Sequence, residues 1–273
     1  MLAQDRSMNV DVEAGDKTLL VSPGFAERGR ELHALLSEAD RFLEASLGFG
    51  ADFAIAVLDE ESWAGLSPFP YGIPFVSLAQ PWVVVVPADV DRSVLMGPFE
   101  EMLGAPAARA AIDNIGFHEV GHIYVDEFFA VLRSEDGPKV RWLDEFLASY
   151  LAYAFVDAVA EERAALWRVF TRSTLDGPPP RYRGFDDFEA EYYGFLASEE
   201  GSPNYNWYQA AFLDLVVRIY STDGLDFVHT LREALEALDP AEVTSDRVRA
   251  VLSGVTPHFG AWSASLGVSD DRD

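Results

Sequence analysis

Strand-like apolar runs are confined to about the first 90 residues of this chain, and from Pro106 onward apolar residues recur at helical spacing. A chain so divided cannot alternate strand and helix along its length. It is predicted to place a small mixed sheet in an N-terminal lobe (1–105) and helices in a second lobe (106–265), an α+β fold. Within the first part, "AGDKTLLVSPG" reads as a short strand ended by Pro23-Gly24, and "DFAIAVLD" (52–59) as a second strand. "YGIPFVSLAQPWVVVVPAD" (71–89) reads as two strand pieces joined near Gln80-Pro81. Between them, Leu32, Leu35, Leu36, Phe42 and Leu43 mark a helix over 26–47 that Gly48 stops. "LDEES" (58–62) reads as a solvated turn. Helices are predicted over 106–132, 141–171, 185–198, 205–221, 224–238 and 244–253, with breaks at "SEDGPK", "DGPPPRYRG" and "EEGSPN" and a frayed tail over 266–273.

Of the 273 residues, 49% are hydrophobic and 24% charged, enough apolar material for one large domain or two small lobes. No run approaches the roughly 18 apolar residues of a membrane span, so no membrane insertion is expected. The acidic N-terminus has no basic stretch followed by an apolar one and does not read as a signal peptide. The absence of cysteine excludes disulfides and thiolate metal sites and fits a reducing, cytoplasmic setting. A net charge of −26 argues against nucleic acid and anionic membrane as partners. It is compatible with a solvated acidic surface and with basic peptides as ligands.

One stretch carries chemistry. In "GFHEVGHIY" (116–124), His118 and His122 lie four residues apart in a helical pattern, so both imidazoles share a face and can reach one ion. Glu119, next to His118, can point at a water on that ion without being a ligand. Zinc lowers the pKa of such a water, and a carboxylate then takes its proton as the water attacks a carbonyl. The other three histidines, His33, His229 and His258, form no comparable pattern.

A catalytic zinc site of this kind needs a third protein ligand. The best candidate is Glu145, in "VRWLDEFLASYLAY" (140–153), on the next predicted helix after the "SEDGPK" turn. Asp126 and Glu127 are local rivals. Asp126 continues the histidine face but lies about 6 Å further along the axis from His122, a distance better suited to orienting a ligand than to being one. Asp144 points about 100° away from Glu145 on their shared helix.

These segments resemble the gluzincin metallopeptidases, in particular the branch of the membrane alanyl aminopeptidases and leukotriene hydrolase. That branch carries H-E-x-x-H followed, on a second helix, by a segment like W-L-N-E-G-F-A-S-Y whose glutamate is the third zinc ligand. Here "HEVGH" is followed by "WLDEFLASY" (142–150), which agrees at Trp142, Leu143, Glu145, Ala148, Ser149 and Tyr150. Twenty-two residues separate His122 from Glu145, a few more than that branch has. The resemblance covers roughly residues 70–220 and implies a two-lobe zinc metallopeptidase with His118, His122 and Glu145 on Zn2+ and Glu119 as general base. It further implies that Tyr208, at the start of "YQAAFLDLV", donates its hydroxyl to the oxyanion. Tyr205 and His229 are rivals for that role.

The departure from the pattern lies upstream. Those aminopeptidases carry Gly-x-Met-Glu-Asn on an edge strand, its glutamate holding the substrate's free amino group. In "VSLAQP" Ala79 stands where that glutamate should be and Gln80 where the asparagine should be. The expectation is therefore a zinc peptidase acting on peptide or protein substrates without the standard aminopeptidase anchor, its edge strand (74–80) free to pair with an extended peptide. Two other readings stand beside it: a non-enzymatic module that binds zinc and peptides or a protein partner, and a hydrolase of non-peptide amides or epoxides.

Overall fold

The computed structural model describes residues 9–11, 17–67, 69–77, 80–134, 137–197 and 202–266. It is α+β, mostly helical with one small mixed sheet. The expected tail falls almost entirely outside these residues. Two compact units are distinguished, Met1–Ile123 and Tyr124–Asp273.

In the first unit, β1 (Asn9–Asp11) and β2 (Leu19–Val21) precede the long helix α1 (Ala26–Leu47). There follow β3 (Phe53–Leu58), α2 (Glu60–Ala64), β4 (Phe75–Val76), β5 (Trp82–Pro87) and α3 (Met96–Leu103). Helix α4 (Ala105–Phe128) runs through the division between the units. The sheet order is β1-β2-β3-β5-β4. β2, β3 and β5 are parallel, with Ile55 opposite Leu19 and Val84, and Val57 opposite Val21 and Val86. β1 and β4 are antiparallel edges.

Both faces of the central strands are covered, which explains why β5 reads as an unbroken valine run rather than an alternating one. On one face, a Cβ on Gly29 of α1 would lie 2.6 Å from Val21, and one on Gly116 of α4 would lie 3.4 Å from Val86. On the other face Trp63 and Tyr71 pack over Ala56, Leu58, Val83 and Val85. Trp63 meets the rings of Tyr71 and Phe75 edge-on at 5.4 and 5.3 Å. That burial turns the expected solvated turn at 58–62 into helix α2. Asp59 caps it by accepting from the Ser62 amide at 2.9 Å.

The second unit takes up the end of α4 and a short hairpin, β6 (Arg133–Ser134) with β7 (Gly137–Pro138), at the "SEDGPK" break. Then come α5 (Arg141–Val159), α6 (Glu161–Leu175), α7 (Phe185–Ala197) and α8 (Ser202–Asp223). α9 (Asp226–Glu236), α10 (Ser245–Val255) and α11 (Pro257–Leu266) close the chain. Every residue of α5 from Trp142 to Val156 is buried, so α5 is the central post, and α6, α7 and α8 pack against it. Trp142 fixes its start: the indole N–H donates to Ser245 Oγ at 2.8 Å, and the ring lies 4.4 Å from that of Phe185.

The helix expected over 141–171 is two helices. Ala160 leaves helical geometry (φ −147°, ψ 75°) while its N–H still closes on the Val156 carbonyl at 2.8 Å. The chain turns there without glycine or proline, and α6 restarts with Glu161 and Glu162 at its positive N-terminal end. The helix expected over 106–132 ends at Phe128, its last turn becoming a 3-10 turn at Ala130–Leu132.

Candidate metal centre

Two contacts from the first unit steady α4 just before the histidines. Arg28 of α1 grips Asp113 with both guanidinium nitrogens, Nη1 at 3.2 Å from Oδ2 and Nη2 on Oδ1. One turn on, Gly116 presents no side chain, and α4 settles against Leu36 and Val86. A helix seated this closely shows His118 and His122 on one face.

The two imidazoles converge. Their Nε2 atoms are 3.0 Å apart, with ring centroids at 4.5 Å and planes at 85°. His118 and Glu119 are 8% and 9% exposed, and His122 is half-buried. One ligand atom from each of His118, Glu119 and His122 lies within 4.8 Å of the others. Two nitrogens on a tetrahedral zinc with bonds of about 2.0–2.1 Å sit about 3.3 Å apart. The observed pair needs to open by only a few tenths of an ångström. The donor set is a pair of imidazole nitrogens beside a carboxylate. These three residues form a group able to hold a metal ion.

The remaining expected residues belong to the second unit. Asp126 pairs with Arg133 Nε, and Arg133 Nη2 also reaches Asp144 Oδ1 at 3.1 Å. Arg133 thus gathers the residue expected to orient a ligand and one of the rival ligands, and nothing in the sequence pattern singled it out.

Glu145 is 2% exposed and sits among three neutral donors. The Tyr192 hydroxyl donates to Oε1 at 2.7 Å, and Gln209 Nε2 and the Tyr205 hydroxyl donate to Oε2 at 2.7 and 3.2 Å. Ser149, one turn along α5 from Glu145, donates to Gln209 Oε1 at 3.4 Å, which turns the amide's NH2 group toward the carboxylate. Burial, and after it the charge of Glu145, pushes the Tyr192 phenol well above its ordinary range, so it stays protonated and donating. Tyr192 and Gln209 were missed from sequence. Gln209 lay beside Tyr208 in a segment read for its tyrosine, and its i, i+4 spacing from Tyr205 was the available signal.

Tyr208, the residue expected to donate to the oxyanion, lies in the second unit. It is 2% exposed, its hydroxyl donates to the Gly184 carbonyl at 2.8 Å, and its ring meets Phe188 edge-on at 4.8 Å. Burial pushes this phenol up as well. Its rival Tyr205 is the one whose hydroxyl reaches Glu145. His229 stands edge-on to Phe128 at 5.4 Å. His33 bonds the Lys17 carbonyl at 3.0 Å and His258 the Thr222 hydroxyl at 3.1 Å. β4 forms an edge of the sheet as expected for a strand in this segment, and Ala79 lies outside the described residues.

Among the described residues no helix is long and apolar enough to cross a membrane. No protein-family model matches this chain, and comparison with curated proteins and with solved structures gives no significant match.

Proposed function

We propose that this chain is a zinc-dependent peptidase. The observation that carries the reading is the 3.0 Å convergence of the His118 and His122 Nε2 atoms beside the Glu119 carboxylate. Glu145 is the third ligand in this reading, on the strength of "WLDEFLASY". A bound zinc supplies Lewis acidity toward a carbonyl and lowers the pKa of water toward about 7. His118 and His122 bind through Nε2. Glu119 accepts the proton of the attacking water and returns it to the leaving amine. The proposal gives Tyr208 no chemical role, because its hydroxyl is committed to Gly184.

The second reading is a module that binds a metal and a peptide without cutting it, favoured by the lack of an amino-group anchor in "VSLAQ". The two separate in one experiment. Wild type, chelator-treated wild type reloaded with zinc, and Glu119→Gln are incubated with a peptide library, and products are read by mass spectrometry. The peptidase reading expects cleavage that is lost on chelation, restored by zinc, and lowered at least about 100-fold in Glu119→Gln. Zinc binding without cleavage by wild type supports the module.

A further inference from the structure

In the second unit, α10 and α11 pack as neighbours and border an open cleft of about 460 Å³. Phe185, at the start of α7, and Phe259 lie at its base, each 3% exposed, with their rings stacked at 5.9 Å and planes 26° apart. The walls carry small residues, Ala250 and Ser253 on α10 and Gly260 and Ser263 on α11. Among the described residues the packing makes no demand for Gly260. It lies inside α11, its φ is not positive, and a Cβ there would meet nothing within 4 Å. Glycine inside a helix is less stable than any ordinary side chain. The effect of Gly260 is to keep the cleft open.

A cation borders this space. The Arg249 guanidinium lies 5.5 Å from the centre of the Phe185 ring and lines the cleft. Its side chain is 13% exposed, whereas that of Asp246, which pairs with Nη2, is 82% exposed. An ion pair with so exposed a carboxylate is weak and open to exchange. We propose that the cleft is a binding site for a small planar aromatic carboxylate, its ring against Phe185 and Phe259 and its carboxylate taking the place of Asp246 on Arg249. The volume suits a molecule of one or two rings, and aromatic side chains with a few polar groups are the usual lining of small-molecule sites. The planar guanidinium matches a carboxylate through two parallel hydrogen bonds. The cleft shares no residue with the histidine centre, so its test does not depend on zinc.

The test titrates the full chain with three probes that share one ring system and differ in charge: naphthoate, the neutral naphthamide and the cationic naphthylmethylamine. Binding is read by calorimetry and by saturation-transfer NMR, and folding by thermal melts. The variants are Gly260→Leu, which fills the cleft, Arg249→Gln, which removes the cation, and Asp246→Asn, which removes the competing carboxylate. Wild type is expected to bind naphthoate with a Kd of about 1 mM or tighter, and naphthamide at least about 10-fold more weakly. Gly260→Leu should bind naphthoate at least about 10-fold more weakly while melting no lower than wild type, because leucine is the better helix former. Arg249→Gln should bind naphthoate no better than naphthamide. Asp246→Asn should bind naphthoate more tightly than wild type, the opposite of what a structural role for the pair would give. Wild type that shows no saturable binding of naphthoate, or prefers naphthylmethylamine, overturns the proposal. So does Gly260→Leu with wild-type affinity, or with a clearly lowered melt, since the glycine would then serve packing.

Discussion

Tyr208→Phe distinguishes a hydroxyl that holds the fold from one that serves chemistry. The substitution keeps the ring among Phe188, Phe195 and Phe212 and deletes only the donor to the Gly184 carbonyl, 2.8 Å away. A neutral hydrogen bond contributes about 0.5–1.5 kcal/mol net. Gly184 is half-buried, so water can in part replace the lost donor, which places the expected loss near 1 kcal/mol. For a chain of this size that corresponds to a fall in Tm of about 2–4 °C. Removing the ring with Tyr208→Ala should cost about 3–5 kcal/mol instead. An oxyanion donor behaves in the opposite way: its loss leaves stability nearly unchanged and lowers kcat by about 10²- to 10³-fold. Thermal melts, urea midpoints and peptide turnover measured on one preparation separate the cases. The expected outcome is a lowered melt with turnover within about threefold of wild type. An unchanged melt with turnover down a hundredfold would refute the structural assignment.

Three further outcomes follow from the first unit. Gly72 has φ +89° and would place a Cβ 2.4 Å from Ser93, whereas Gly24 has the same φ with nothing within 4 Å. Gly24→Ala should therefore cost about 1 kcal/mol and Gly72→Ala at least about 2 kcal/mol more, by urea titration. Lys17 (9% exposed) pairs with Asp40 (5% exposed) at 3.2 Å, so Lys17→Met should cost about 3 kcal/mol by removing the cation beside a buried carboxylate, and adding Asp40→Leu should recover part of that loss. At Asp59, burial acts to raise the pKa, but hydrogen bonds from the Ser62 amide and hydroxyl and from Ser22 outweigh it and hold the pKa below the ordinary 3.8. A depressed folded-state pKa stabilises above the unfolded value and is lost as pH falls through the folded one. The destabilisation by Asp59→Asn should therefore be present at pH 7 and shrink below about pH 4, as read from urea midpoints across that range.

The three parallel strands of the sheet were legible because their signals are local, whereas β1 (Asn9–Asp11) was not read as a strand. β2, β3 and β5 are short valine- and leucine-rich runs between turn residues, and α1 ends at the glycine that stops its apolar spacing, with Gly48 at φ +82°. The turn at Ala160 was not legible, because no breaker residue marks it and the packing of α5 and α6 against each other and α8 decides it. α2 was missed for a related reason: "LDEES" is polar, and the burial of Trp63 by residues 8 and 12 positions later is not a local property. In the site, the i, i+4 histidine pair could be read directly because helix geometry alone brings the rings together. The surroundings of Glu145 could not, since Tyr192 and Gln209 reach it from helices 47 and 64 residues away in sequence. Motif order, which suggested a role for Tyr208, gives no sign of the Gly184 carbonyl that its hydroxyl meets.

The central claim is that His118 and His122 hold a zinc ion, and equilibrium dialysis against zinc with elemental analysis tests it most directly. The purified chain is dialysed beside His118→Ala and His122→Ala, with circular dichroism confirming that each is folded. The account predicts one zinc per wild-type chain and an affinity lowered at least about 100-fold in each variant. Wild type without stoichiometric zinc, or folded variants that retain it at wild-type affinity, would contradict the account.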